Sequence, residues 1–83
     1  MNFELTEHAK KVMAEREIAP EWVEQTVAEP ELREPDPNDA SVERRYRRIP
    51  AFGGRVLRVA LNTAVEPPRV VSVFLDRKMK GRL

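Results

Sequence analysis

The chain has 83 residues, of which 41% are apolar, and a formal net charge of +1. A chain of this length forms one domain and buries only about 60% of its unfolded surface, so its core must be small. It contains no cysteine, which excludes a disulfide framework and a thiolate metal site. No stretch approaches the ~18 apolar residues of a membrane span, and the acidic N-terminus does not fit a signal peptide. We therefore expect a single cytoplasmic domain over residues 1–83, with no membrane contact and no cofactor.

The charges are divided unevenly along the chain. Residues 1–42 carry four Lys or Arg against eleven acids, a net charge of −7. Residues 43–83 carry eleven Lys or Arg against three acids, a net charge of +8. Such asymmetry indicates an anion-binding surface on the second half. It fits equally well with two halves that attract each other while most charges face solvent.

Two short helices are predicted in the acidic half. Thr6 is a suitable N-cap, and apolar residues follow at helical spacing until the helix ends near Glu17 or Ile18. Pro20 fits the first position of a second helix, which Pro30 ends. The two helices should form a hairpin. The residues predicted to face inward are Val12, Met13, Trp22, Val23, Thr26 and Val27.

The other predicted elements are strands. Residues 2–5 form a short strand or an extended lead-in, and residues 32–34 form a short edge strand, where the neighbouring prolines are tolerated. Three longer strands are predicted in the basic half, at residues 43–49, 55–62 and 70–76. The fold class is therefore α+β, with a two-helix hairpin packed on one face of a small antiparallel sheet of three to four strands.

Alternation along the last two strands separates the two faces of the sheet. Gly53 and Gly54 fit the hairpin turn that precedes the first of them, since glycine accepts a positive φ. The basic tail of residues 77–83 is expected to be mobile. The residues predicted to lie under the helices are Leu57, Val59, Leu61, Val71, Val73 and Leu75.

Basic residues surround an aromatic ring in the first long strand. Arg44, Arg45, Arg47 and Arg48 flank Tyr46. Guanidinium groups bind phosphates and a ring stacks on a base, so this pattern is typical of single-stranded nucleic-acid binding. The arginines would lie on both faces of the strand, so at most half of them would line one groove. The alternative is an arginine-rich strand that resists sheet-to-sheet aggregation.

Arg58 and His8 are two further candidates for chemistry. Arg58 is flanked by apolar residues, where an arginine needs a phosphate or a carboxylate partner; the carboxylate would be Glu43 or Asp76. His8 is the only histidine, suited to act as a general base or to stack on a base, and equally to bond the backbone at the helix start. One histidine with scattered carboxylates is not a usual ligand set, so no metal site is predicted.

The sequence resembles a known family along nearly its whole length. The matching segments are H-A-x-x-V-M-x-x-R-x-I at residues 8–18, G-R-V-L-R-V at residues 54–59 and V-F-L-D-R at residues 73–77. Together they resemble the family catalogued as domain of unknown function 4258, which commonly has arginine in place of Val12. That family is similar to the RelE/ParE type of small bacterial toxin. The similarity implies the element order β-α-α-β-β-β.

The resemblance to RelE/ParE toxins also implies a function. It implies binding of RNA or the ribosome, and at most a metal-independent cleavage of messenger RNA. The implied catalytic residues are Arg58, by position a central-strand arginine, and Arg77, which ends the last strand. His8, the candidate general base, is the third residue predicted to be catalytic. The tail lacks the aromatic or histidine acid/base of active members. The alternative is a non-catalytic module that binds an acidic antitoxin-like partner or a second copy as a homodimer. Further RNA contacts are expected from Arg55, Lys78 and Lys80.

Overall fold

The computed structural model describes residues 2–83, which form a five-stranded sheet with two helices packed on one face. The strands are ordered β1-β5-β4-β3-β2 across the sheet; β1 runs parallel to β5 and every other pair is antiparallel. Two 3-10 turns, Pro50–Phe52 and Arg77–Met79, follow β3 and β5. In chain order the elements are β1 (Glu4–Leu5), α1 (Glu7–Glu15), α2 (Pro20–Ala28), β2 (Leu32–Pro35), β3 (Val42–Ile49), β4 (Arg55–Asn62) and β5 (Arg69–Leu75).

The predicted α+β class is confirmed, but the predicted sheet was too small and wholly antiparallel. Both short segments join it: β2 pairs with β3, and β1 pairs with β5 through Glu4 opposite Arg69 and Leu5 opposite Val70. The pairing of β1 is parallel, so the sheet is mixed. Two residues are too few to show alternation, so the sequence does not distinguish a strand from an extended lead-in there.

The ends of α1 show how the sequence builds the first helix. Thr6 is its N-cap, as predicted, and the Oγ1 of Thr6 accepts a hydrogen bond from the Ala9 amide at 3.1 Å. The helix ends at Glu15, earlier than predicted. Glu17 has a φ of +55°, and the amide of Ile18 donates to the Met13 carbonyl at 2.9 Å. A left-handed residue followed by such a bond ends a helix by reversing the chain.

The core lies between the two helices and the helix-facing side of the sheet. Val23 and Val27 of α2 are fully buried against Leu57, Val59 and Leu61 of β4. The predicted inward face of α2 is confirmed, and Thr26 is buried with its hydroxyl donating to the Trp22 carbonyl at 2.7 Å. For α1 the prediction is right for Met13 and wrong for Val12, which is only half-buried, because Ala9 and Met13 form the face that packs on the sheet. Burying a valine or leucine side chain contributes about 1.5–3 kcal/mol. The covered face therefore supplies most of the apolar core, while Tyr46, Val56 and Ala60 are buried on the opposite face.

One part of the predicted core is wrong. A register shift between Ala60 and Leu61 places Leu61 opposite Val70, although Ala60 pairs with Ser72. Val70 is consequently in the core with no exposed surface, and Val71 is only half-buried. Since strand residues alternate between faces, a shift of one residue exchanges which valine points to the helices.

Candidate anion-binding cleft

A cleft of about 1210 Å³ lies between the outer side of α1, the end of β5 and the C-terminal turn. His8 and Arg16 line it from α1, on the side that does not face the core. Arg58 lines it from β4 and Phe74 from β5, on the face of the sheet opposite the helices. We call this the basic cleft, because its cationic lining residues outnumber the acids Glu15 and Asp76. The cationic side chains are Arg16, Arg55, Arg58, Arg77, Lys78 and Lys80.

The three residues predicted from the sequence to be catalytic all line this cleft. His8, Arg58 and Arg77 come from α1, β4 and the C-terminal turn, and each lines the same space. His8 is exposed, and Arg58 keeps 24% of its side chain accessible. His8 lies on the helix side of the sheet and Arg58 on the opposite face, so the cleft passes around the edge of β5, and its lining residues are up to 69 positions apart in the sequence.

Arg58 has the carboxylate partner that was one of the two predicted alternatives. The Nη1 of Arg58 lies 3.3 Å from the Oδ2 of Asp76, and the guanidinium Cζ lies 4.4 Å from the centre of the Phe74 ring. One carboxylate engages only part of a guanidinium, which has five N–H donors. Arg58 is thus oriented by Asp76 and Phe74 while still facing the cleft.

The neighbouring cations are not paired. Among residues 2–83, the side chains of Arg16, Arg55, Arg77, Lys78 and Lys80 have no carboxylate oxygen within 4 Å. Arg55 instead lies over the Phe52 ring at 4.7 Å. Basic groups that face a common cleft without partners raise the local concentration of anions.

The arginines of β3 are arranged differently, since most of them contact the acidic half of the chain. Arg45 and Arg47 lie on the helix face, where they donate to the carbonyls of Val27 and Glu29 at 2.5 and 2.6 Å. These carbonyls belong to the C-terminal end of α2, which has no basic residue of its own. Cations placed there compensate the negative end of the helix dipole.

The remaining arginines of β3 are also paired. The Nε of Arg44 lies 3.2 Å from the Oδ2 of Asp36, and Arg48 lies 3.8 Å from Glu31. None of the four arginines lines the basic cleft. The attraction between the two halves, one of the two interpretations of the charge pattern, is therefore what the structure shows for this strand.

Tyr46 is buried rather than presented on the surface. It is 2% exposed, and its hydroxyl donates to the Oε1 of Glu34 at 2.7 Å. Burial, and secondly this bond to a carboxylate, raise the pKa of Tyr46. Phe74 is the aromatic residue that sequence reasoning did not select for binding. Its place on the Arg58 face follows from strand alternation, but its exposure of 49% does not.

Two further kinds of site to consider in the described residues are a membrane-spanning helix and a metal-binding cluster. Neither helix in residues 2–83 has the length and apolarity that a bilayer crossing requires. Within the same residues, no three His, Asp or Glu side chains come together in a group that could hold a metal ion.

Comparison with known families gives one match. A family model described as Domain of unknown function (DUF4258) matches residues 5–75. Comparison with curated proteins and with solved structures finds no match.

Proposed function

The chain belongs to the family described as Domain of unknown function (DUF4258), and we propose that this member binds single-stranded RNA in the basic cleft. The observation that carries the proposal is the exposed Phe74 ring beside Arg58, in a cleft that is also lined by unpaired cations. Single-stranded nucleic acids are bound by such a combination, because cations follow the phosphates while an aromatic ring stacks on a base. Tyr46 is buried and does not line the cleft, so it is not the stacking residue of this proposal.

The exposure of Phe74 supports the stacking part of the proposal. Among residues 2–83 it is the one large hydrophobic side chain that is exposed. The other strand residues on the same face of the central pair, Val56 and Ala60, are buried. An exposed aromatic residue between cations leaves apolar surface in water, and a stacked base would cover it.

Titration of a fluorescently labelled ten-nucleotide uridine RNA, followed by anisotropy, tests the proposal. Phe74→Ala should weaken binding about tenfold, since one stacked base contributes about 1–3 kcal/mol. Arg58→Ala should weaken it by a similar factor and reduce the dependence on salt, because the log–log slope for a single strand falls by about 0.7 for every phosphate that is no longer neutralised. Lys11→Gln is the matched control, since Lys11 is exposed on α1 outside the cleft. Equal affinities for all four proteins would refute the proposal.

Cleavage of RNA is a separate step, and it stays a prediction of the similarity to RelE/ParE toxins. The place of His8, Arg58 and Arg77 along one cleft supports this prediction. The 2′-hydroxyl would attack the adjacent phosphorus as His8 takes its proton, and the 5′-oxygen would leave and take a proton from water. Incubation of end-labelled RNA with the protein in excess chelator tests this step. Fragments that end in a 2′,3′-cyclic phosphate, and that His8→Ala abolishes, would support cleavage; intact RNA would leave binding as the activity.

Strand addition by an acidic protein segment is a second candidate function, which the edge of β5 favours. β1 ends at Leu5 opposite Val70, so within residues 2–83 no strand pairs with the outer side of β5 beyond that point. The Asp76 amide donates to the Val56 carbonyl, and Phe74 pairs with Arg58. By the alternation of antiparallel bonding, the N–H and C=O groups of Val73 and Leu75 point away from β4. Val73 is buried, so Leu75 is the residue whose backbone an added strand would reach.

The open edge fits an extended acidic segment because the basic cleft lies along it. A blocked eight-residue peptide of alternating valine and glutamate tests this, with hydrogen exchange measured at the amide of Leu75. Slower exchange with this peptide, but not with an N-methylated peptide of the same charge, would support strand addition. Equal effects of both peptides would show charge attraction alone and refute this second candidate.

A further inference from the structure

Asp76 is the buried carboxylate of the basic cleft, and it contacts both parts of the cleft that carry positive charge. Its residue is 9% exposed. Its Oδ2 accepts from the Arg58 guanidinium at 3.3 Å, and its Oδ1 accepts from the Lys78 amide at 3.0 Å. The first contact reaches the centre of the sheet, and the second caps the turn Arg77–Met79.

We infer that Asp76 is a positioning residue for anion binding, which holds the Arg58 guanidinium and the basic turn in one fixed arrangement. The predicted effect on RNA affinity rests on the proposed function, but the contacts of Asp76 with Arg58 and with the turn are present in the free protein. A guanidinium with a fixed carboxylate on one side has fewer orientations to lose when a phosphate binds on the other. The capped turn likewise fixes where Arg77 and Lys78 leave the backbone.

The backbone of Asp76 makes this arrangement rigid. Its amide donates to the Val56 carbonyl at 2.9 Å, so the residue continues the β4–β5 ladder by one step. The amide of Met79 donates back to the Asp76 carbonyl at 3.3 Å. Asp76 is therefore fixed by the sheet, and its two side-chain oxygens bind the Arg58 guanidinium and the start of the turn.

The inference makes a prediction opposite to that of simple charge counting. Removing a negative charge from an anion-binding cleft should tighten RNA binding roughly threefold, if the phosphate lies about 7 Å away in water. Loss of positioning should instead weaken it about threefold to tenfold, the cost of immobilising the freed side chains on binding. Asp76→Ala removes the charge and both hydrogen-bond acceptors, so the direction of its effect separates the two accounts.

Two further variants divide the role of Asp76 between its contacts. Asp76→Ser keeps a hydroxyl that caps the turn but is too short to reach Arg58. Asp76→Asn keeps one oxygen that can accept from the Lys78 amide, but its NH2 group is a donor and cannot bond the Arg58 guanidinium. Both variants remove the charge and the contact with Arg58 while they keep the cap, so we expect both to bind RNA more weakly than the wild type. Binding as tight as that of the wild type, or tighter, in both variants would show that the charge alone matters and would overturn the inference.

A double-mutant cycle with Arg58→Ala tests whether Asp76 acts through Arg58. If it does, Arg58→Ala should weaken RNA binding about tenfold in the wild-type protein and less than about fivefold in the Asp76→Ala variant. A role of Asp76 in fold stability alone would give independent effects, and such an outcome would overturn the inference. Thermal unfolding of each variant identifies any that is not folded at the temperature of the titration.

A measurement without RNA keeps the inference separate from the proposed function. In the free wild-type protein, the Arg58 side-chain Nε–H should show restricted motion by 15N relaxation, and Asp76→Ala should release it. Arg82, an exposed tail residue, is the internal control and should be mobile in both proteins. Unchanged Arg58 motion would overturn the inference even if RNA binds. Released motion with no RNA binding by the wild type would refute only the proposed function.

Discussion

Tyr46 donates its hydroxyl to Glu34 at 2.7 Å from a position that is 2% exposed, so the ring at the centre of the R-R-Y-R-R segment belongs to the sheet and not to a binding surface. Glu34 lies on the adjoining edge strand β2, and the bond therefore joins β3 to the short strand that covers its edge. Removing the hydroxyl should affect stability and leave RNA affinity unchanged.

Tyr46→Phe should lower the free energy of unfolding by about 1 kcal/mol, the usual net contribution of one such hydrogen bond. Urea denaturation measures this, and RNA anisotropy should give the wild-type affinity. The bond also implies a pH effect. Because the pKa of Tyr46 is raised above 10.0, the folded state keeps its proton where the unfolded state loses it. This contribution is complete below about pH 10 and is lost as the pH rises through the folded value. Loss of RNA affinity in Tyr46→Phe would contradict the assignment.

Glu43 should give the protein part of its acid sensitivity. The carboxylate of Glu43 accepts from Arg33, and it lies 2.7 Å from the Nε of the buried Arg45. The bond from Arg33, and then that from Arg45, lower the pKa of Glu43 below 4.5 against the opposing effect of burial. Because the pKa of Glu43 is lower in the folded state, its ionised carboxylate contributes stability above about pH 4.5. This contribution is lost as the pH falls through the folded-state pKa.

Glu43→Gln should therefore lower the free energy of unfolding by about 2 kcal/mol near pH 7, because the buried Arg45 loses its ion pair. Urea denaturation at pH 6 and at pH 3 should show the difference from the wild type shrinking at the lower pH. Glu66→Gln is the control, since Glu66 is exposed in the loop before β5. A difference that stays constant between the two pH values would contradict the role assigned to Glu43.

Several parts of the fold were predictable because they depend on near neighbours in the sequence. Thr6 caps α1 and Pro20 starts α2 through contacts within one helical turn, and β4 has the predicted bounds because its alternation is unbroken. The sequence left Glu43 and Asp76 as possible partners of Arg58, and the strand register decides between them, because Glu43 lies opposite Leu61 on the helix face. The basic cleft was not predictable, since its lining comes from four separate elements. Whether an arginine of β3 is paired depends on acids and carbonyls that lie 8 to 18 positions away, which composition does not reveal.

The register shift in β5 leads to a prediction for stability that is opposite to the one from simple alternation along the strand. Val70→Ala removes two methyl groups from the core and should cost about 2 kcal/mol in the free energy of unfolding. Val71→Ala, at a half-buried position, should cost less than about 1 kcal/mol. The two variants have the same composition and adjoin in the sequence, so each controls for the other in urea denaturation. Equal losses of stability, or a larger loss for Val71→Ala, would contradict the assignment of Val70 to the core.

The left-handed conformation of Glu17 gives a prediction of increased stability. A side chain at a φ of +55° is strained, and glycine adopts this conformation without that cost. Glu17 is exposed, and its amide makes only a long bond of 3.4 Å to the Ala14 carbonyl. Glu17→Gly should therefore raise the free energy of unfolding by about 0.5–1 kcal/mol. Glu15→Gly, inside the last turn of α1, is the matched control and should lower it by about 1 kcal/mol. Urea denaturation of both variants in one buffer measures the contrast; a loss of stability in Glu17→Gly would show that the turn does not depend on a left-handed residue there.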